Sequence, residues 1–307
     1  MSISSSTIRT AAPDGVAIFG HRHSPSTASC AVRLVRALLD KGIRVELEED
    51  FFQHLASFST FDAGLLPQVS VFSHSPLFAA MAISLGGDGT FLRTAEKLVG
   101  TPTPILGINT GRLGFLADVT ADGIENAVRQ LALGGFQVAE RSLIAFSSDA
   151  AAPSDFCPYA LNEVAVLKHD NSSLIEVETH VDGRLLTNYV ADGLVVCTPT
   201  GSTGYALSAG GPILSPGSRT FCLAPVAPHS LTMRPIVLPD DVELQLRVKS
   251  RTGHFLVALD GRSRSMEVGC EITLRKADCT VNVVRMQDSD FFHTLRCKLM
   301  WGMDQRG

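Results

Sequence analysis

The sequence predicts an α/β amino-terminal domain with an open, mostly parallel sheet, followed by an all-β, sandwich-like domain. Three observations carry this. Residues 81–85 form an almost wholly apolar run, as a strand covered on both faces requires. The run leads through Gly86-Gly87-Asp88-Gly89-Thr90 into Phe91, Leu92, Ala95, Leu98 and Val99 at helical spacing. Strand-like and helix-like runs alternate from residue 16 to residue 135, the pattern of parallel βαβ units. Beyond Phe136 the helical period nearly disappears, and short alternating runs between turn residues replace it.

In order, residues 16–19 read as a first strand ending at Gly20. Ser26 or Thr27 is placed to cap a helix over 28–41, with Gly42 at its end. Residues 43–47 alternate as a second strand, and 51–56 read as a short helix. The strand 81–85 and its helix come next, with Gly100 placed to stop the helix. Residues 105–108 form a further apolar strand, and a helix over 124–133 closes on Gly134-Gly135. In the second region strand-like runs cover 143–146, 160–167, 174–181, 194–197, 242–248, 255–259, 272–274 and 281–284. Asp182-Gly183 and Asp260-Gly261 are hairpin turns by residue type. Residues 291–301 return to an amphipathic helix. The first fourteen residues, rich in Ser, Thr and Ala, read as a frayed tail and lack the pattern of a signal peptide.

A chain of 307 residues is long enough for two domains, each with its own core. Its apolar fraction of 45% and charged fraction of 19% are those of a globular enzyme. A net charge of -5 gives no reason to expect nucleic acid or an anionic membrane as a partner. No apolar run reaches the roughly eighteen residues of a membrane-spanning helix. The seven cysteines are scattered without a CxxC, which reads as small core residues in a reducing, hence cytoplasmic, setting. The nine histidines have no ligand-like spacing, so no metal site of the protein's own is expected.

The glycine-rich turn places Asp88 at the carboxyl end of a strand and near a helix amino terminus, where open α/β sheets bind ligands and N–H groups attract phosphate. No lysine follows Gly89, so this is not a P-loop, and the third glycine of the dinucleotide fingerprint is missing. A carboxylate inside a phosphate turn makes sense if it accepts a proton from a hydroxyl or holds a metal ion. Equally, it makes sense as a helix cap. A second glycine-bearing turn, Asn109-Thr110-Gly111-Arg112-Leu113-Gly114-Phe115, also follows a strand directly. If the two strands are neighbours, both turns open into one crevice.

Within the β region, residues 198–212 pack hydroxyls and glycines almost without interruption. Those groups suit a ribose-phosphate ligand: hydroxyls and N–H groups to hydrogen-bond, glycines for close approach, Tyr205 to stack on a base. A flexible loop fits less well, because apolar residues interrupt the stretch. Asn162-Glu163, a polar pair in the apolar run 160–167, fits either a strand end in water or a reader of an adenine or ribose edge. His229, in a proline-stiffened loop, reads as a satisfied hydrogen-bonding residue.

Gly86 to Thr90, Asn109 to Phe115, Leu161-Asn162-Glu163-Val164, Asp192 through Pro212, Pro228-His229-Ser230-Leu231 and the Lys298 to Gly302 ending occur in an order and spacing that resembles the NAD kinases. The resemblance covers residues 19–302. It implies transfer of the ATP γ-phosphate to the 2′-hydroxyl of the adenosine ribose of NAD, with Mg2+ or another divalent cation accompanying ATP. It implies a terminal helix that returns to the first domain, so that residues 1–140 with 285–307 form the α/β domain and 141–284 the all-β domain. It also implies sites between domains and at the subunit contacts of a homodimer or homotetramer. By position, Asp88 matches the acid that deprotonates the hydroxyl. Gly86, Gly87, Gly89 and Thr90 would face phosphates, with Arg93 one helical turn on and Asn109 in the second turn. Asn162 and Glu163 match a pair that binds ribose and adenine, and Asp192 an aspartate near the nicotinamide amide. Thr203, Gly204, Tyr205, Ala206, Leu207 and Ser208 match the segment around adenine, and Arg262 stands where many members have glutamine. Gly204 stands where many have alanine, and Val190 where some have arginine. A lipid kinase of the diacylglycerol or sphingosine type and a non-catalytic NAD-binding regulator are the alternative readings.

Overall fold

The computed structural model describes residues 8–9, 11–20, 25–57, 64–76, 78–111, 114–150, 156–170, 173–287 and 289–302. The chain forms two compact units, Met1–Glu140 with Val281–Gly307, and Arg141–Thr280.

The first unit is built on a parallel sheet. From one edge its strands run Ser70–Phe72, Arg44–Glu48, Gly15–Gly20, Met81–Leu85 and Ile105–Asn109, and the end of Glu271–Met286 pairs next to the last of these. Met81–Leu85 and Ile105–Asn109 are buried at every position, as suits their almost wholly apolar character, with Ser84 and Asn109 the polar exceptions. The chain starts in the middle with Gly15–Gly20, winds outward through Arg44–Glu48, then crosses back to Met81–Leu85 on the other side. The sheet therefore has its switch point between Gly15–Gly20 and Met81–Leu85. Ile18, Leu34, Leu38, Leu47, Phe51, Ile83, Leu106 and Leu131 fill the core beside it.

The helix Pro25–Asp40 packs against Ile124–Ala132, and Arg33 makes a bidentate pair with Glu125 across them. The first of these helices starts three residues earlier than its spacing predicts, with Pro25 at the first helical position, where its missing N–H costs nothing. Ser26 and Thr27 thus lie inside the helix. The short helix begins at Glu49, with Glu49 and Asp50 in its first turn. Ser70–Phe72 is a strand that the sequence reading missed, too short for its alternation to register. The expected frayed tail falls mostly outside the described residues, but Ile8–Arg9 pairs with Gln137 and Val138, so backbone hydrogen bonding holds part of it.

The second unit is two antiparallel sheets over one core. One sheet runs Ile236–Pro239, Thr220–Val226, Gly193–Cys197, Glu163–Lys168, His254–Leu259, Arg262–Glu267. The other contains Arg184–Ala191, Ile175–Val181, Leu244–Lys249 and the start of Glu271–Met286. Val164, Val166, Val196, Phe221 and Phe255 of the first meet Val177, Leu244, Leu246, Ile272 and Leu274 of the second. Both hairpin turns have positive φ at each central residue, Asp182 and Gly183, Asp260 and Gly261, as the type I′ turn needs. The runs at 272–274 and 281–284 are one continuous strand, Glu271–Met286, in which the alternation of burial slips by one residue between Leu274 and Ala277. The run at 160–167 is instead broken into Tyr159–Ala160 and Glu163–Lys168.

The final helix, Phe291–Leu299, belongs to the first unit. Asp290 caps it by accepting from the N–H groups of Phe292 and His293.

Candidate active site

In the first unit the strand Met81–Leu85 ends at the switch point and turns through Gly86 and Gly87 into the helix Asp88–Leu98. The neighbouring strand Ile105–Asn109 lies parallel to it in direct register, so the two glycine-bearing turns emerge side by side. Arg112 and Leu113 of the second turn lie outside the described residues. Asp88 is the first residue of the helix, and its carboxylate does not cap it. It reaches across to the second turn instead, where Oδ2 accepts from the N–H of Phe115 at 2.8 Å and Oδ1 from the N–H of Leu116 at 3.1 Å. Gly114 makes room for this, since a Cβ there would fall on the Asp88 carboxylate.

The other glycines divide by what surrounds them. A Cβ at Gly86 would meet Thr90, so that glycine serves the turn's own packing. At Gly87, Gly89 and Gly111 it would meet nothing within 4 Å, so the fold itself leaves those positions open. Beside them the N–H groups of Asp88 and Gly89 open the helix without an intrahelical acceptor, whereas that of Thr90 donates to Gly87 O at 2.9 Å. Thr90 is buried and Arg93 exposed. Asn109 is buried, and its Oδ1 accepts from the Gly111 N–H at 2.8 Å, so its side chain shapes the second turn.

In the second unit the break before Glu163 has a specific cause. Asp260, raised on its hairpin turn, accepts from three successive N–H groups, of Leu161 at 2.7 Å, Asn162 at 2.8 Å and Glu163 at 3.0 Å. That clamp bends the chain and presents Asn162 and Glu163 at the head of a strand. Their Oδ1 and Oε2 atoms are buried and lack hydrogen-bond partners among the described residues. Buried polar atoms left so are uncommon and suit a ligand's hydrogen bonds. Burial first, then the charge of Asp260, pushes the Glu163 carboxyl up to about 7, while the Tyr205 N–H pulls the other way. Near neutrality Glu163 is thus able to donate as well as accept. Burial also raises the Asp260 carboxyl, against the pull of its three amides.

Residues 198–212 are more ordered than a loop. Thr200–Thr203 and Tyr205–Ser208 are short helical turns, and Ala206 packs on Ala165, Val195, Cys197, Cys222 and Ala224 on the outer face of the first sheet. Several hydroxyls expected to meet a ligand hold this segment together instead. Thr198 Oγ1 donates to Leu161 O at 2.6 Å, and Ser202 Oγ donates to Pro199 O and accepts from the Leu214 N–H. Thr203 Oγ1 leans on Thr200 O at 3.5 Å. What remains presented is the Tyr205 ring, 38% exposed, with Leu207 and Ser208 beside it. A Cβ at Gly204 would come within 2.9 Å of Glu163 Oε2, so glycine leaves that oxygen its space.

Asp192 is half-buried and pairs with Lys168 at 2.6 Å, a contact the sequence reading did not anticipate. Arg262 donates to the carbonyls of Leu259, Cys157 and Tyr159, bracing the turn that carries Asp260. His229 has an exposed side chain, and it is the residue's backbone N–H that donates, to Val190 O.

Two effects are measurable here. Asp260→Ala leaves three amides without their acceptor and is expected to destabilise the chain by about 2–4 kcal/mol in urea unfolding. A loss below about 0.5 kcal/mol would show that water replaces the clamp. For Glu163 the folded carboxyl lies above its ordinary value of 4.5, so its contribution is full below that value and is lost as pH rises through about 7. Glu163→Gln, which stays neutral, is therefore expected to raise the melting temperature of the ligand-free chain at pH 8, and to do so much less at pH 5. An increment that does not change with pH would refute the buried acid.

A parallel α/β unit with a carboxylate in a glycine turn beside its switch point, joined to an all-β unit with unpartnered buried polar atoms, is a build that suits a phosphate-bearing ligand. Comparison with known proteins gives the family. The ATP-NAD kinase N-terminal domain matches residues 16–136, and the ATP-NAD kinase C-terminal domain matches residues 161–286. The chain belongs to the ATP-NAD kinase family. It is 44% identical over 291 residues to an NAD kinase of Bacteroides fragilis, covering 94% of this chain and 99% of that one. It is 41% identical to an NAD kinase of Porphyromonas gingivalis, covering 94% and 98%. Among solved structures, an NAD kinase from Archaeoglobus fulgidus in complex with ATP matches with a TM-score of 0.68 at 28% identity, over 92% of this chain and 98% of that one. Yeast NADH kinase complexed with NADH shares the fold, with a TM-score of 0.83 at 24% identity over 95% and 89%. None of these comparisons supports a lipid kinase or a non-catalytic regulator.

Proposed function

We propose that this chain transfers the γ-phosphate of ATP to the 2′-hydroxyl of the adenosine ribose of NAD, giving NADP and ADP. The observation that carries this reading is the pose of Asp88. Its carboxylate stands at the carboxyl end of a strand that borders the switch point, fixed by the amides of Phe115 and Leu116 and flanked by glycines that the fold leaves open. A ribose hydroxyl has a pKa far above neutrality and needs a base in hydrogen-bond reach as it attacks. Asp88 accepts that proton while the 2′-oxygen bonds to the γ-phosphorus. The bond from that phosphorus to the β,γ-bridging oxygen breaks, and ADP leaves with the electron pair.

The phosphates lie along Gly86, Gly87, Gly89 and Thr90, with the helix N–H groups as donors and Arg93 and Asn109 at the margin. Asn162 and Glu163 take the ribose and adenine edge, the segment from Thr203 to Ser208 surrounds adenine, and Asp192 takes the nicotinamide amide. Arg262 acts behind the site by bracing Asp260. A single carboxylate at the phosphate turn suits Mg2+ that arrives on the triphosphate's own oxygens, where it neutralises phosphate charge. Seven free thiols support a cytoplasmic setting, and assembly as a homodimer or homotetramer rests on the family likeness. No described helix is long and apolar enough to cross a membrane.

Incubating the purified chain with NAD, ATP and Mg2+ tests the reading. NADP and ADP appearing in equal amounts is the expected result, and EDTA should abolish it. ATP consumed without NADP, or no turnover at all, would contradict it.

A further inference from the structure

The Lys298 to Gly302 ending belongs to the family resemblance, yet the chemistry described so far gives it no part. In the structure it belongs to the first unit, and Lys298 sits in the last turn of the helix Phe291–Leu299. Its ammonium lies 5.0 Å from the centre of the Phe115 ring. Phe115 is the residue whose N–H holds Asp88 Oδ2. The final helix therefore delivers a cation to the wall of the turn that fixes the proposed base.

The charges around it are already arranged. Asp118 pairs with Arg285 at 2.9 Å, and the Asp88 oxygens are taken by two amides. No ion pair among the described residues uses Lys298. Burial draws the Lys298 ammonium down from its ordinary value, while Asp88 and Asp118 pull it back up and Arg285 opposes them. The ammonium is thus half-buried against an aromatic ring in the wall of the turn that holds Asp88, with no ion pair among the described residues to neutralise it.

We infer that Lys298 is a phosphate-binding residue of the transfer step, its ammonium contacting the terminal phosphate oxygens of the nucleoside triphosphate beside Asp88. This rests on the proposed function, and assigns that site a further cation, delivered by the final helix. Phosphoryl transfer asks chiefly for alignment and neutralised charge, and a fixed cation in a partly dry wall supplies the second at no cost in reorganisation. The hydroxyl proton goes to Asp88, and the Lys298 side chain follows the negative charge as it shifts from the γ-phosphoryl oxygens to the leaving ADP.

The test compares Lys298→Met, which keeps the stem over Phe115, with Lys298→Arg, which keeps the charge. Steady-state kinetics in ATP are read beside NAD affinity and melting temperature. Lys298→Met is expected to lower kcat/KM for ATP by about a hundredfold, as loss of one preorganised charged donor does. NAD affinity should stay within about threefold, and Lys298→Arg should recover at least a tenth of the wild-type value, since the charge is what the wall provides. Lys298→Met within about threefold of wild type in kcat/KM, by the same scale, would overturn the assignment. So would joint loss of folding, NAD affinity and turnover, or an arginine variant as impaired as the methionine one, because each marks a structural anchor. Asp88→Asn run alongside separates the two ideas. If it is inactive while Lys298→Met is normal, only the lysine assignment fails. If Asp88→Asn is normal, the site reading beneath both fails.

Discussion

Asp88→Asn is expected to bind NAD as the parent chain does while turning over at least about a hundredfold more slowly. Asparagine keeps the size of the side chain and an oxygen for one of the two amides that hold it, at Phe115 and Leu116. What it lacks is a site for the hydroxyl's proton. The loss should therefore appear in kcat, with the KM for NAD little changed, which is the mark of an interaction made only as the reaction proceeds. Initial rates at saturating ATP, beside NAD affinity measured by calorimetry, check this. A variant with near-normal turnover would remove Asp88 from the role of base and leave it as a strut between two turns.

Gly114→Ala should be nearly as damaging, although the residue carries no chemistry. The added methyl group would occupy the place of the Asp88 carboxylate, push it off the N–H groups of Phe115 and Leu116, and swing it from its bearing on the crevice. Small misplacements of a reacting group cost on the order of a hundredfold, so a drop of roughly 10- to 100-fold in kcat is expected with the fold intact. Gly217→Ala is the matched control, since a Cβ there meets nothing within 4 Å. Gly114→Ala with normal turnover would mean that the carboxylate's position in the resting structure is not the one that matters.

The fold class was legible because its patterns are local. An apolar run, a glycine turn and a 3.6-residue period lie side by side at 81–98, and the structure has the strand, the turn and the helix there. The two hairpin turns were equally plain from Asp-Gly pairs. What the sequence could not convey was which atoms those turns hold. Asp260 reads as a turn residue, yet its carboxylate clamps three amides about a hundred positions earlier and so breaks a run that looks continuous. Thr198 and Ser202 read as ligand donors by composition, and the fold turns both hydroxyls toward neighbouring carbonyls. Gly114 looked like any loop glycine until the carboxylate beside it was seen. Each of these depends on a partner distant in sequence, which neither spacing nor residue type records.

The central claim is that Asp88 takes the proton from the attacking ribose oxygen. A crystal structure of the chain with NAD and an unreactive ATP analogue measures it most directly. The account predicts an Asp88 carboxylate oxygen about 2.6–3.2 Å from the 2′-oxygen, with the γ-phosphorus analogue in line on the far side. A ribose bound well beyond that reach, with another side chain at the 2′-oxygen, would contradict it.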